Sequence, residues 1–199
     1  MAKAGPRGRD EVVEALRASA RKLIAERGPS VALRDIADDA GVNFGLLYRY
    51  LGTKEQVVDE VYRHAASEAA QRLRGVDHAA EALQMLATFG DGTTARLLGW
   101  AVLGGRGSAD AFRDSPTLEL LTERLRADSA AAGKPIGDED ARVFSAFAMA
   151  ILIGWRLFAP TALLAAGLDG GSPDTYNGQV VSYLEQLAEA VTGNPRSKP

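Results

Sequence analysis

The side chains able to do directed chemistry crowd into one short stretch. Between Arg34 and Lys54 stand two guanidinium groups (Arg34, Arg49), two phenols (Tyr48, Tyr50), a carboxamide (Asn43) and an ammonium group (Lys54), interleaved with Phe44, Gly45 and Leu46. Apart from Asn43, these polar groups donate hydrogen bonds or carry positive charge. A guanidinium can fork onto a guanine edge or onto a phosphate. A phenol donates one hydrogen bond, and a lysine at a helix start adds charge where the backbone already favours anions. This is chemistry for holding an anion and reading an edge. Bond-making chemistry is poorly served elsewhere. His64 and His78 stand far apart without ligand-spaced partners, there is no nucleophile motif, and no metal or cofactor is expected. The acidic run Asp138-Glu139-Asp140 opens a helix, where the dipole explains it.

Two short helices must position these groups. Leu33, Ile36, Ala37 and Ala40 recur at helical spacing on one face. Gly41 follows and can end that helix in the left-handed region, with Val42 as the apolar plug of the turn. Asn43 suits the N-cap of a second helix from Phe44 to Tyr50, about two turns long. Leu47 and Tyr50 fall on its inner side, while Phe44, Gly45, Tyr48 and Arg49 fall nearer solvent. A helix, a glycine turn and a second short helix with polar tips make a helix-turn-helix, whose second helix enters the DNA major groove. Asn43, Phe44, Gly45 and Leu46 form the tip that faces bases. Gly45 costs so short a helix about 1 kcal/mol, which close approach to DNA would explain.

The rest of the chain reads as all-α. Met1 to Arg9 carries Lys3, Arg7 and Arg9 among Gly and Pro, either a solvated terminus or an arm reaching for phosphates. Helix 1 spans Asp10 to Arg27, and Gly28-Pro29 stops it. Thr53 caps a fourth helix from Lys54 to about Arg74, about 30 Å long. Further helices are expected at Asp77–Thr88, Thr93–Leu103, Pro116–Ala132, from Asp138 onward, and Asp174–Thr192. Pro160 should kink or end the fifth of these rods counted from helix 4. The Gly104–Ser115 connection contains GGRG, too short for a phosphate-cradling loop. The total is about nine helices and no sheet. Residues 10–53 form a DNA-binding domain, 54–74 connects, and 75–193 forms a second helical domain.

Composition is consistent with this. The 199 residues are 46% hydrophobic and contain no cysteine, which excludes disulfides and thiolate metal sites and fits a reducing cytoplasm. No run of about 18 apolar residues stands out, so no membrane span is expected. Met1 to Arg63 holds 11 basic and 10 acidic residues, and His64 to Pro199 holds 12 and 16, so the relatively basic end coincides with the DNA reader.

Four segments, ALRASARKLIAERG, LRDIADDAGVN, GLLYRY and TKEQVVDEV, in this order between Ala15 and Val61, resemble the TetR family of bacterial transcriptional regulators. A GWRLFAP segment, Gly154 to Pro160, is like that of some members. Two positions differ from the family pattern: Ala32 stands where a capping Ser or Thr is usual, and Leu51 where an aromatic is usual. The resemblance implies a cytoplasmic, DNA-binding homodimer, most often a repressor, on a near-palindromic double-stranded operator. It implies that Tyr48, Tyr50 and Lys54 hold phosphates on either side of the groove. Core packing for Tyr50 and a solvated charge for Lys54 are the plainer alternatives. It further implies an apolar pocket for a small apolar or aromatic effector, with Met85, Phe89, Trp100, Phe144, Phe147 and Trp155 as candidates, though aromatic stripes at this spacing also make ordinary core. The last two long helices would pair with their copies as a four-helix bundle through Tyr176, Val180, Tyr183 and Leu187. On the residues alone, a helical protein-interaction module without an operator, or an enzyme, stays open.

Overall fold

The computed structural model describes residues 8–88, 92–103, 115–168 and 171–192, with side chains of 101–103 excepted. Among these residues every regular element is a helix: α1 (Arg9–Arg27), α2 (Leu33–Asp39), α3 (Phe44–Leu51), α4 (Lys54–Leu73), α5 (Ala79–Thr88), α6 (Thr93–Leu103), α7 (Pro116–Ala131), α8 (Asp138–Ala165) and α9 (Pro173–Thr192). The chain groups into two compact units, residues 1–65 with 91–113, and residues 66–90 with 114–199. This division differs from the expected boundary near Gly75. It falls inside α4, and it gives α6 to the first unit.

The first unit is built around α1. Val12, Leu16, Ala20, Leu23 and Ile24 line its inner face and meet Ile36, Ala37, Leu47, Val57 and Val61 in one core. That face pins α2, α3 and the start of α4. An ion pair of 2.6 Å from Arg17 to Glu60 and one of 2.7 Å from Lys22 to Asp39 tie α1 to α4 and α2. Such partly exposed pairs contribute little beside the apolar core. The α6 helix joins through Leu97, which is fully buried in the same core, and through a 3.1 Å hydrogen bond from Arg21 to the Thr94 hydroxyl. Gly28 ends α1 at φ 79°, and a Cβ there would come within 3.1 Å of the Trp100 indole. Glycine at this position therefore serves both the left-handed turn and the approach of α6. Trp100, expected in an effector pocket of the second domain, instead packs on α1.

The second unit has its own core of Leu73, Leu83, Leu121, Leu125, Phe144, Ala148, Leu152 and Leu184. A buried polar step crosses it: the Thr122 hydroxyl donates to Ser145 Oγ at 2.9 Å, and Ser145 donates to the Ala141 carbonyl at 2.9 Å. Each group is satisfied, so the step costs little and fixes the rotation of α7 on α8. Pro160 does not end α8, which continues to Ala165. The ring lies on an exposed position, where the carbonyl it leaves without an N–H partner can find water. By length and composition alone α8 is apolar enough to cross a membrane, which a search for an uninterrupted apolar run misses.

At the start of α5, Asp128 accepts from the Ala79 backbone N–H at 2.9 Å and pairs with His78 Nδ1 at 2.9 Å. The hydrogen bond to Asp128, and then its charge, raise the His78 pKa above the ordinary histidine value. A raised histidine pKa stabilises the fold fully below the unfolded value, near 6.5, and that contribution fades as pH rises through the folded value. Thermal melts should therefore show a small loss of stability on going from acid pH upward through the histidine range. The loss should be absent in His78→Gln; an equal pH response in both proteins would remove the pair from the account.

Candidate nucleic-acid interface

The turn between α2 and α3 is closed by backbone alone. Gly41, at φ 65°, donates to the Asp38 carbonyl at 3.1 Å, and Val42 donates to the Ala37 carbonyl at 2.9 Å. This crossed pair is a Schellman ending, and it buries Val42 beneath the turn. The chain then enters α3 through Asn43, whose Oδ1 accepts from the Gly45 N–H at 2.8 Å. Gly52, at φ 81°, ends α3, and α4 opens on a reciprocal cap. The Gln56 side chain accepts from the Thr53 N–H at 2.8 Å, while the Gln56 N–H donates to the Thr53 hydroxyl at 3.4 Å. Thr53 is legible in sequence as a cap, and Gln56, three residues on, completes the box. No side chain caps α2 at Ala32.

These devices set which face of α3 is outward. Leu47 is fully buried, Leu46, Tyr50 and Leu51 pack at the edge of the core, and Phe44 and Tyr48 are 40% and 57% exposed. Arg34 reaches across from α2, its guanidinium 5.7 Å from the Phe44 ring centroid. Tyr50 is half-buried with Arg9 and Arg49 at 5.8 and 5.9 Å from its ring centroid. Arg9 thus belongs to α1 rather than to a terminal arm; Lys3 and Arg7 lie outside the described residues. Lys54 is the first residue of α4, half-exposed beside its cap.

Most unpaired cations of the unit gather on this face. Arg17, Lys22, Arg27 and Arg63 each pair with a carboxylate. Arg9, Arg34, Arg49 and Lys54 form no ion pair with any described residue, Arg49 on α3 itself and the others at the starts of α1, α2 and α4; on the described α6, Arg96 shares this condition. An open cleft of about 490 Å³ between α1, α3 and α4 gathers Arg9, Arg17, Arg49 and Arg63 around Tyr50 and Gln56, with Glu60 as its one carboxylate. The sequence marked Arg49 and Tyr50 but not this cleft, because its walls come from three separate segments.

The described effector-pocket candidates of the second unit line no common cavity among the described residues. Phe144 is core, with Met85 packed at its edge, and Phe147 is exposed on the outer side of α8. The Trp155 indole N–H donates to Asn177 at 2.8 Å, Trp100 lies in the first unit, and Phe89 lies outside the described residues. A small cavity of about 50 Å³ beside Trp100, Lys54 and Tyr62 has room for a few waters and not for an organic effector.

A helix-turn-helix with an unpaired cationic face, joined to a second all-helical unit, defines a DNA-binding protein. The family model described as "Bacterial regulatory proteins, tetR family" matches residues 16–61. The HTH-type transcriptional repressor Rv3405c of Mycobacterium tuberculosis is 35% identical over 187 residues, covering 92% of this chain and 93% of the relative. Salmonella enterica GusR superposes with a TM-score of 0.68 at 17% identity, covering 92% of this chain and 95% of its own. The transcriptional regulator FadR of Bacillus subtilis, solved in complex with stearoyl-CoA, superposes at 0.60 and 16% identity, covering 86% and 97%. The chain belongs to the TetR family, and it is a DNA-binding transcriptional regulator.

Proposed function

We propose that the protein is a repressor that binds a near-palindromic operator as a symmetric homodimer and leaves it on binding a small apolar or aromatic effector. The observation that carries the DNA-binding part is that Arg9, Arg34, Arg49 and Lys54, all around α3, pair with no described carboxylate, whereas Arg17, Lys22, Arg27 and Arg63 of the same unit each do. Lys54 at the start of α4 and the Tyr48 and Tyr50 hydroxyls hold backbone phosphates. Arg34 reaches a guanine edge. The cleft beside Tyr50 adds Arg9 and Arg49 to the phosphate contacts, since two guanidinium groups on one ring gain from an anion between them.

The dimer reading rests on unpartnered apolar faces of α8 and α9. Leu184 and Ala188 turn into the core, whereas Tyr183, Leu187 and Val191 point outward at four-residue intervals; on α8, Val143, Phe147, Ile151 and Phe158 are likewise exposed at four- and seven-residue spacing. Two contiguous exposed stripes of this size mark an interface. Tyr176 and Val180 lie half-exposed on the same helix. The effector reading draws on the family and on the stearoyl-CoA of one structural neighbour, an apolar chain with an anionic head. An effector must favour the released state to act, because equal binding to both states shifts nothing.

Lys54→Ala tests the positioning role. Affinity should fall by a similar factor on all DNA sequences, and the salt slope should drop by about 1. Arg34→Ala should instead relax preference at one base pair, costing about 1–3 kcal/mol there. Fluorescence anisotropy across a salt series reads both; an unchanged slope for Lys54→Ala would show that the lysine is only solvated.

A further inference from the structure

Resting on the DNA-binding reading, the geometry points to a specific base under the tip of α3: we infer that Phe44 reads the 5-methyl group of a thymine, beside a guanine read by Arg34. The tip has few groups with which to read anything else. Asn43 would need both its carbonyl and its amide aligned in one plane to grip an adenine, and its Oδ1 already accepts from the Gly45 N–H at 2.8 Å. Gly45 has no side chain, and even a Cβ would come within 3.1 Å of that same Oδ1. Leu46 packs at the edge of the core. Phe44 remains, 40% exposed at the first position of the helix and without a hydrogen-bonding group. The one apolar feature that a base pair shows in the major groove is the thymine methyl.

Arg34 fixes what lies beside it. Its guanidinium stands 5.7 Å from the Phe44 ring centroid and pairs with no described carboxylate. The ring buttresses the guanidinium, and the N–H edge is left to fork onto guanine O6 and N7. The neighbouring Asp35 faces Arg27 at 3.7 Å and does not compete for Arg34. The half-site therefore carries a thymine next to a guanine, read by two side chains from two helices as one unit.

The test removes only the methyl group. Operator DNA is first selected from random duplexes with the full-length protein. Each thymine of a half-site is then replaced, one at a time, by deoxyuridine, and affinity is measured by anisotropy for the native protein, Phe44→Ala and Phe44→Leu. One thymine adjacent to a guanine should weaken native binding about fourfold when its methyl is lost, the equivalent of ~0.8 kcal/mol for one buried methyl group. Phe44→Ala should bind the two operators equally, and Phe44→Leu should keep part of the difference. Arg34→Ala should lose preference at the guanine beside that thymine and nowhere else. If no thymine responds, or if Phe44→Ala responds as strongly as the native protein, the assignment is wrong while the operator stands. If no sequence is selected at all, the DNA-binding reading fails and takes this inference with it. Circular dichroism of both Phe44 variants should match the native protein, since the side chain is outside the core.

Discussion

Leu187→Glu should yield a folded monomer that binds operator about 10²–10⁴-fold more weakly than the native protein. Leu187 is exposed on the outer stripe of α9, one helical step from the buried Leu184 and Ala188, so the protomer loses no core contact. Surface changes of this kind shift folding stability by about 0.5 kcal/mol or less. In a symmetric bundle, however, the substitution enters twice and places carboxylates in an apolar seam, where unpaired charge is strongly unfavourable. Without the seam each reading helix binds its half-site alone. The factor of about 10²–10⁴ is the usual gain from linking two such modules. Sedimentation velocity, circular dichroism and operator titration together decide the matter. A variant that stays dimeric and keeps native affinity would move the interface elsewhere.

Leu47→Ala should destabilise the first unit by about 2–5 kcal/mol. Leu47 is the one fully buried side chain of α3, held against Leu16, Ile36 and Val57 in the core beneath the reading helix. Shortening it removes apolar contact and leaves a cavity that the two short helices cannot close without moving their exposed faces. Because folded domains are stable by only about 5–15 kcal/mol, such a loss takes much of the margin. Urea unfolding should show an earlier transition, with operator affinity falling in the same range of conditions. Lys54→Ala, by contrast, should weaken DNA binding with no change in the unfolding curve. A Leu47→Ala protein as stable as the native chain would mean that α3 is not seated on α1 as described.

The contrast between those two residues also shows what could be read from the chain. The reading motif was legible because its signals are local. Gly41 must take a left-handed turn, Asn43 must cap, Thr53 must open the next helix, and each does so within three residues. The alternation that buries Leu47 and exposes Tyr48 likewise follows from helical spacing alone. The place of α6 was not legible. Its sequence, TTARLLGWAVL, is apolar on most sides, so no single face announces its neighbour. What seats it on α1 is a close approach between Gly28 and Trp100, far apart in the chain, and a hydrogen bond from Arg21 to Thr94. The placement of the aromatic candidates for an effector pocket was not legible for a related reason. Phe144 and Phe147 lie three residues apart, their rings 6.4 Å centre to centre, yet one is core and the other faces out. Helical spacing places them on neighbouring lines of α8, and only the packing of α7 and α9 decides which line is covered. The basic cleft is the converse case: Arg49 stood out in sequence, but Arg17 and Arg63 did not, and they meet only because α1, α3 and α4 converge on Tyr50.

The most direct test of the regulator reading is a titration of the purified full-length protein against genomic DNA fragments at two salt concentrations, with excess non-specific competitor. The account predicts saturable binding to a small class of fragments that survives the competitor and weakens at higher salt. The bound fragments should share two inverted half-sites centred roughly 34–36 Å apart, or somewhat stretched. Binding that is equal on every fragment and disappears with competitor, or no binding at either salt concentration, would contradict it.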